Sequence, residues 1–238
     1  MRKPMTVDAS DKNADGIALM SEVTLKTQDE LAAFKIIYPG MPQRDVLNTF
    51  RDLRTKLLHK TQGSNCVLLV SSLSSGAGSS LVAMNLATSF ALDEQKTAIY
   101  IDCNFEDSFS EELIKGSFDV GLMDYLDDAS LDLKDIIYSA GIPRVRLIPP
   151  GAGDDSSVER LSSPRMVELI QSVKARYPDR FVVLDVPPVG DSSLARILSR
   201  VSDMAVLVVP FGKVTSNQVM AGVDAVGEEK FAGLVFNN

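Results

Sequence analysis

The feature that most constrains this chain is a series of short apolar runs separated by stretches of helical periodicity. Val67 to Val70, Thr97 to Asp102, Arg144 to Ile148, Phe181 to Asp185, Ala205 to Val209 and Gly233 to Phe236 each have the length of a strand. Between them lie helical patterns at Ser80 to Leu92, Met166 to Val173, Ser193 to Leu198 and Val219 to Val226. A strand that is apolar throughout, rather than at every second residue, must be buried on both faces. Buried strands that alternate with helices predict a doubly wound α/β domain, with a mainly parallel sheet covered on both sides. Ligands of such sheets sit at the carboxyl ends of the strands.

At 238 residues the chain is long enough for one domain with a full core. Its formal net charge of -8 argues against nucleic acid as a partner, because that needs an excess of Lys and Arg. No apolar run approaches the ~20 residues of a membrane span, and Met1-Arg2-Lys3 leads into polar residues rather than a signal sequence. Cys66 and Cys103 lie in or beside apolar runs and read as buried free thiols. His59 has no Cys or His neighbours that would make a metal site. Residues 1–43 are expected to be a flexible segment, with a short apolar patch at Phe34 to Tyr38 that packs on the domain or on a neighbour. The regular domain is expected over 44–238, beginning with a helix carrying Val46, Phe50, Leu53 and Leu57.

The segment from Ser72 to Ser80 joins the first strand to a helix and contains Gly76 and Gly78. Such a turn can hold a phosphate on backbone N–H groups and on the positive end of the helix. Gly76, Ala77, Gly78, Ser79, Ser80 and Leu81 are the candidate phosphate-binding residues. Two later strands end in acids, Asp102 and Asp185, and the second acid is followed by Val186-Pro187-Pro188.

In this order and spacing, these motifs resemble the bacterial polysaccharide tyrosine autokinases, within the deviant-Walker group of P-loop ATPases. Asn48 to Thr55 is similar to that family's Glu-x-Phe-Arg-x-Leu-Arg-Thr helix, and Ser71 to Ala87 to its P-loop and following helix. Tyr100-Ile101-Asp102-Cys103-Asn104-Phe105-Glu106 resembles its second acidic motif, Asp-x-Asp-x-Arg, Leu184 to Val189 its Asp-Thr-Pro-Pro motif, and Gly233 to Asn237 its last strand. The resemblance implies that Asp102 is the carboxylate that takes the proton from the attacking hydroxyl. It implies Ser80 and Asp185 as the Mg²⁺ positions, and Arg51 and Arg54 as residues of ring assembly, so that a homo-oligomer is one expected partner. The other is the cytoplasmic part of a membrane polysaccharide co-polymerase, which would hold the chain in the cytoplasm against the inner membrane.

The departures fall on the charged positions. The P-loop Lys is Ser79, an earlier signature Lys is Ser74, the second Asp is Asn104, and the following Arg is Glu106. Lys to Ser removes one positive charge, Arg to Glu shifts the site by two and Asp to Asn restores one, leaving it two units more negative. The Glu of the assembly helix is Asn48, and the five tyrosines are scattered rather than gathered in an acceptor tail. The expectation is a kinase-like subunit without catalysis or a needed cofactor, retaining at most weak ATP or ADP binding with Mg²⁺. Two alternatives are an active kinase or ATPase in which Arg51, Arg54 or a partner's cation replaces the lysine, and a regulatory module that binds nucleotide without hydrolysing it.

Overall fold

The computed structural model describes residues 24–115, 118–154, 156–190 and 193–237. Residues 1–23, most of the segment expected to be flexible, lie outside the described residues. In chain order the elements are α1 (Gln28–Ala33), α2 (Arg44–Lys60), β1 (Val67–Ser72), α3 (Ser79–Ala91), β2 (Thr97–Asp102), α4 (Phe109–Leu113) and α5 (Leu122–Asp127). A 3-10 turn (Leu133–Ile136), β3 (Tyr138–Ser139), β4 (Val145–Ile148), α6 (Ser157–Leu161), α7 (Pro164–Arg176) and β5 (Arg180–Asp185) follow. The remainder is α8 (Leu194–Ser199), β6 (Met204–Pro210), α9 (Ser216–Val226) and β7 (Phe231–Asn237).

The seven strands form one sheet in the order β3-β4-β2-β5-β1-β6-β7. Every pairing is parallel except β3 with β4. Both faces are buried. Leu68, Val70, Tyr100, Phe181, Val183, Val206 and Val208 face α3, where Phe90 stacks on Phe181 with ring centroids 4.2 Å apart. Val67, Leu69, Ile99, Ile101, Val182, Leu184, Ala205 and Leu207 face the layer of α7, α8 and α9. This period-2 division between two apolar layers is why the strands read as unbroken apolar runs.

Helix α3 is buried on all sides from Val82 to Ala91. A helix without a polar face cannot form the outer layer of a domain and needs cover of its own. Here α2 and the stretch from Leu31 to Met41 supply that cover. Ile36 and Ile37 are fully buried, and Leu31, Tyr38 and Met41 join the same core. Asn85, on α3 and 1% exposed, fixes this strap: its Oδ1 accepts from the Ile37 N–H at 2.7 Å and its Nδ2 donates to the Lys35 carbonyl at 3.0 Å. The apolar patch of the N-terminal stretch therefore belongs to the core of the same domain. Two arginines close the far end of α3, where its carbonyls lack helical partners. Arg54 donates to Ser89 O at 2.8 Å and Arg144 to Ala91 O at 2.7 Å. Both cysteines are buried and free. Among the described residues no helix is long and apolar enough to cross a membrane.

Candidate nucleotide-binding site

The loop after β1 leads into α3 through two left-handed glycines, Gly76 with φ 71° and Gly78 with φ 76°. At Gly78 a side chain has no room, since a Cβ would run into the amide of Asn237. That amide donates to Ala77 O at 2.9 Å, so the last strand pins the loop. Among the described residues no backbone acceptor takes the N–H groups of Gly76, Ala77 or Gly78, and the first-turn amides of α3 have no helical partner by position. The backbone donors that could hold an anion are therefore present. Its cation is not: Ser79 turns its hydroxyl back toward β1, 3.5 Å from Ser72 Oγ. Ser80 and Leu81, in the first turn of the helix, are half-buried.

The two acids lie side by side. Asp102 and Asp185 are register partners at the carboxyl ends of β2 and β5, and both are fully buried. Their surroundings differ. Asp102 Oδ1 accepts from the Asn104 N–H at 3.0 Å, and Oδ2 accepts from Ser108 Oγ at 2.9 Å and from the Ser110 N–H and Oγ at 3.1 and 2.7 Å. It ties down the turn that leads into α4. Burial pushes its carboxyl above the ordinary range, against the pull of these hydrogen bonds.

Asp185 Oδ2 accepts from the Tyr100 hydroxyl at 2.5 Å, while Oδ1 is buried with no hydrogen-bond partner among the described residues. The Ser80 hydroxyl is near enough to favour its charged form without closing a bond to Oδ1. Burial, and then the charge of Asp102, push the Asp185 carboxyl up to about 7. Tyr100, two residues before Asp102 on the same face of β2, opens the second acidic motif but has no role in it, and the structure makes it a member of this site. Period-2 geometry is the signal that places it there.

Of the parts that a Mg·ATP complex needs, an unpaired carboxylate oxygen beside a serine fits a cation. A lysine-free loop facing two buried acids does not fit a triphosphate. Among the described residues there is no cluster of three or more His, Cys, Asp or Glu that would hold a metal without substrate. The residues expected for assembly separate: Arg51 is exposed on α2, whereas Arg54 turns inward to Ser89.

Asp185 carries a stability signature. An unfolded aspartate titrates near 4, and this one holds its proton more tightly when folded. Stability linked to it is fully present below about pH 4 and is lost as the pH rises through about 7. Asp102, Asp107, Tyr100 and Cys103 are the neighbouring groups that share this electrostatic coupling. Asp185→Asn keeps an acceptor for Tyr100 and removes the buried charge. It is expected to stabilise the fold by about 1–2 kcal/mol at pH 8 and by almost nothing at pH 4. Thermal unfolding at both pH values checks this; a destabilised variant at pH 8 would mean that a cation already balances the carboxylate.

No protein-family model matches the chain. Among curated proteins it is 27% identical over 191 residues to the tyrosine-protein kinase CpsD of Streptococcus agalactiae, covering 79% of this chain and 81% of that one. It is 26% identical over 230 residues to the tyrosine-protein kinase wzc of Salmonella typhi, covering 95% of this chain and 31% of that one. Among solved structures, the kinase domain of the Escherichia coli tyrosine kinase ETK superposes with a TM-score of 0.74 at 24% identity, over 81% of this chain and 75% of that one. The cell division ATPase MinD of Pyrococcus furiosus superposes with a TM-score of 0.58 at 23% identity, over 71% of this chain and 70% of that one. With its loop, its paired strand-end acids and its strand order in place, the chain is a relative of the bacterial tyrosine-protein kinases, built on the P-loop ATPase fold.

Proposed function

We propose that this protein is a kinase-fold subunit of an exopolysaccharide or capsule synthesis and export system that transfers no phosphate. In this reading it acts by docking on the cytoplasmic part of a membrane polysaccharide co-polymerase. The observation that carries the loss of transfer is the state of the loop and the two acids. Phosphoryl transfer depends on positioning and on stabilising developing negative charge. This site offers a serine in place of the lysine, and its base position, Asp102, is held by four donors as a structural cap. Among the described residues none of the five tyrosines is exposed, and the Tyr100 and Tyr138 hydroxyls are engaged within the fold. The docking role rests on the kinship with the tyrosine-protein kinases.

Incubation with labelled ATP and Mg²⁺ is expected to leave the chain unlabelled. Label on any tyrosine above a no-enzyme control would end the non-catalytic reading.

Retention of Mg·ATP is also expected to be poor. A ligand bound only by the native state adds RT ln(1 + [L]/Kd), about 2.7 kcal/mol at a hundredfold excess over Kd. Millimolar Mg·ATP should therefore shift the melting temperature little, and a saturable shift at micromolar ATP would show that other cations stand in for the lysine. The free loop amides favour a second reading, in which a nucleotide is held without being used.

A further inference from the structure

The loop and the two acids occupy one end of the sheet, and a cluster of opposite sign occupies the other. Thr97 and Arg180 open β2 and β5 as register partners, so their Cα atoms are about 4.8 Å apart. Arg146 lies on β4, the other neighbour of β2. Period 2 puts all three on one face, since Ile99, Ile148 and Val182, each two residues further along its strand, belong to the layer of α7. That helix ends on Arg176, and the ring centroid of the next residue, Tyr177, lies 3.9 Å from the Arg180 guanidinium carbon. Arg180 is 6% exposed and Thr97 2%, and Arg180 Nε and Thr97 Oγ1 are both buried with no hydrogen-bond partner among the described residues. None of the three arginines joins a salt bridge among the described residues. Burial pushes the Arg180 guanidinium below its ordinary range, Tyr177 and Asp179 oppose this, and the charges of Arg146 and Arg176 add to it. A buried cation is ordinarily paired and a buried donor ordinarily satisfied. In a chain of net charge -8, this cluster leaves Arg180 with neither.

We propose that Arg146, Arg176, Arg180 and Thr97 form a site for a phosphate dianion, either free phosphate or the phosphate group of a small monoester. The ring of Tyr177 covers one flat side of the Arg180 guanidinium, and the donors of a guanidinium lie in its plane, where an oxyanion is held. The Nε–H of Arg180 and the hydroxyl of Thr97 are the two inner donors, and half-buried Arg146 and exposed Arg176 supply charge from the solvent side. The charge count fits: three arginines less the neighbouring Asp179 leave two positive charges, which a dianion cancels and a carboxylate does not. With Arg180 this deeply buried, only a small group reaches it. The site shares no residue with the loop or with the two strand-end acids, so it stands whether or not the protein transfers phosphate.

The test is titration of the intact chain, at constant ionic strength, with inorganic phosphate, glycerol phosphate and acetate. Binding is read on the arginine Nε–H signals by NMR, with Arg180→Lys to assign the signal of Arg180, and on the melting temperature. The Arg180 signal is expected to move saturably with phosphate or with glycerol phosphate and to ignore acetate. The tighter of the two binders tells free phosphate from an ester as the ligand. Arg146→Gln and Arg176→Gln should each weaken binding about fivefold, as expected for a partly exposed charge on a phosphate. Thr97→Val keeps the shape of the side chain, so it should weaken binding and leave the melting temperature in phosphate-free buffer unchanged. An Arg180 signal that does not move overturns the proposal and leaves water as the partner of its Nε–H. Acetate binding as well as phosphate overturns it too. So do arginine variants that bind phosphate like the parent, which is the result expected if phosphate goes to the loop instead.

Discussion

Ser79→Lys combined with Glu106→Arg is expected to raise the affinity for Mg·ATP about a hundredfold. The loop's left-handed glycines and free amides are already in place, so the new lysine would meet a prepared backbone. Two unit charges ~4 Å apart interact by about 4 kcal/mol at an effective dielectric near 20. A hundredfold change needs only about 2.7 kcal/mol, which leaves room for solvent screening of Glu106, exposed on the loop after β2. Turnover should gain much less. Asn104 still stands where the second acid would be, and Asp102 remains tied to Asn104, Ser108 and Ser110. Calorimetry on the double variant and the parent decides the matter. No gain in a folded variant would mean that the loop's backbone, rather than its charge, prevents binding.

Asn85→Leu is expected to destabilise the protein by about 2–5 kcal/mol. Leucine matches asparagine closely in shape and should pack. What it cannot do is serve the Ile37 N–H and the Lys35 carbonyl, which both lose their partner inside the fold. Each buried polar group left unsatisfied costs about 1–3 kcal/mol. In a chain of this size each kcal/mol moves the melting temperature by roughly 2–4 °C, so a fall of about 5–15 °C should be seen. Limited proteolysis should then cut first between residues 26 and 43. An unchanged melting temperature would show that the strap adds nothing to the core.

The parallel sheet was legible because its strands are buried on both sides, which leaves no polar residue to break the runs of β1, β5 and β6. β3 was not, because two residues carry no period. The strap is legible only as a short apolar patch, for a related reason. Leu31, Ile36, Ile37, Tyr38 and Met41 follow neither a 3.6 nor a 2.0 repeat, since they pack in an irregular chain across α3. The signal lay instead in α3, whose sequence has no solvent face and so requires a cover from elsewhere. At the site, local motifs gave the loop and both acids. The partners came from far along the chain, as with Tyr100 on Asp185 or Asn237 on Ala77, and spacing alone does not reveal such pairs.

The four donors gathered on Asp102 bear on how such sequences change over generations. An acid that anchors a turn is kept by selection for folding, whether or not it ever accepts a proton. The lysine of a phosphate loop has no such second duty, and its loss leaves the scaffold intact. In a lineage released from catalysis, lysines should therefore disappear early, while the aspartate at the position of Asp102 persists. Its presence in a related sequence then testifies to an intact fold, and the residue at the position of Ser79 is the one that reports on chemistry.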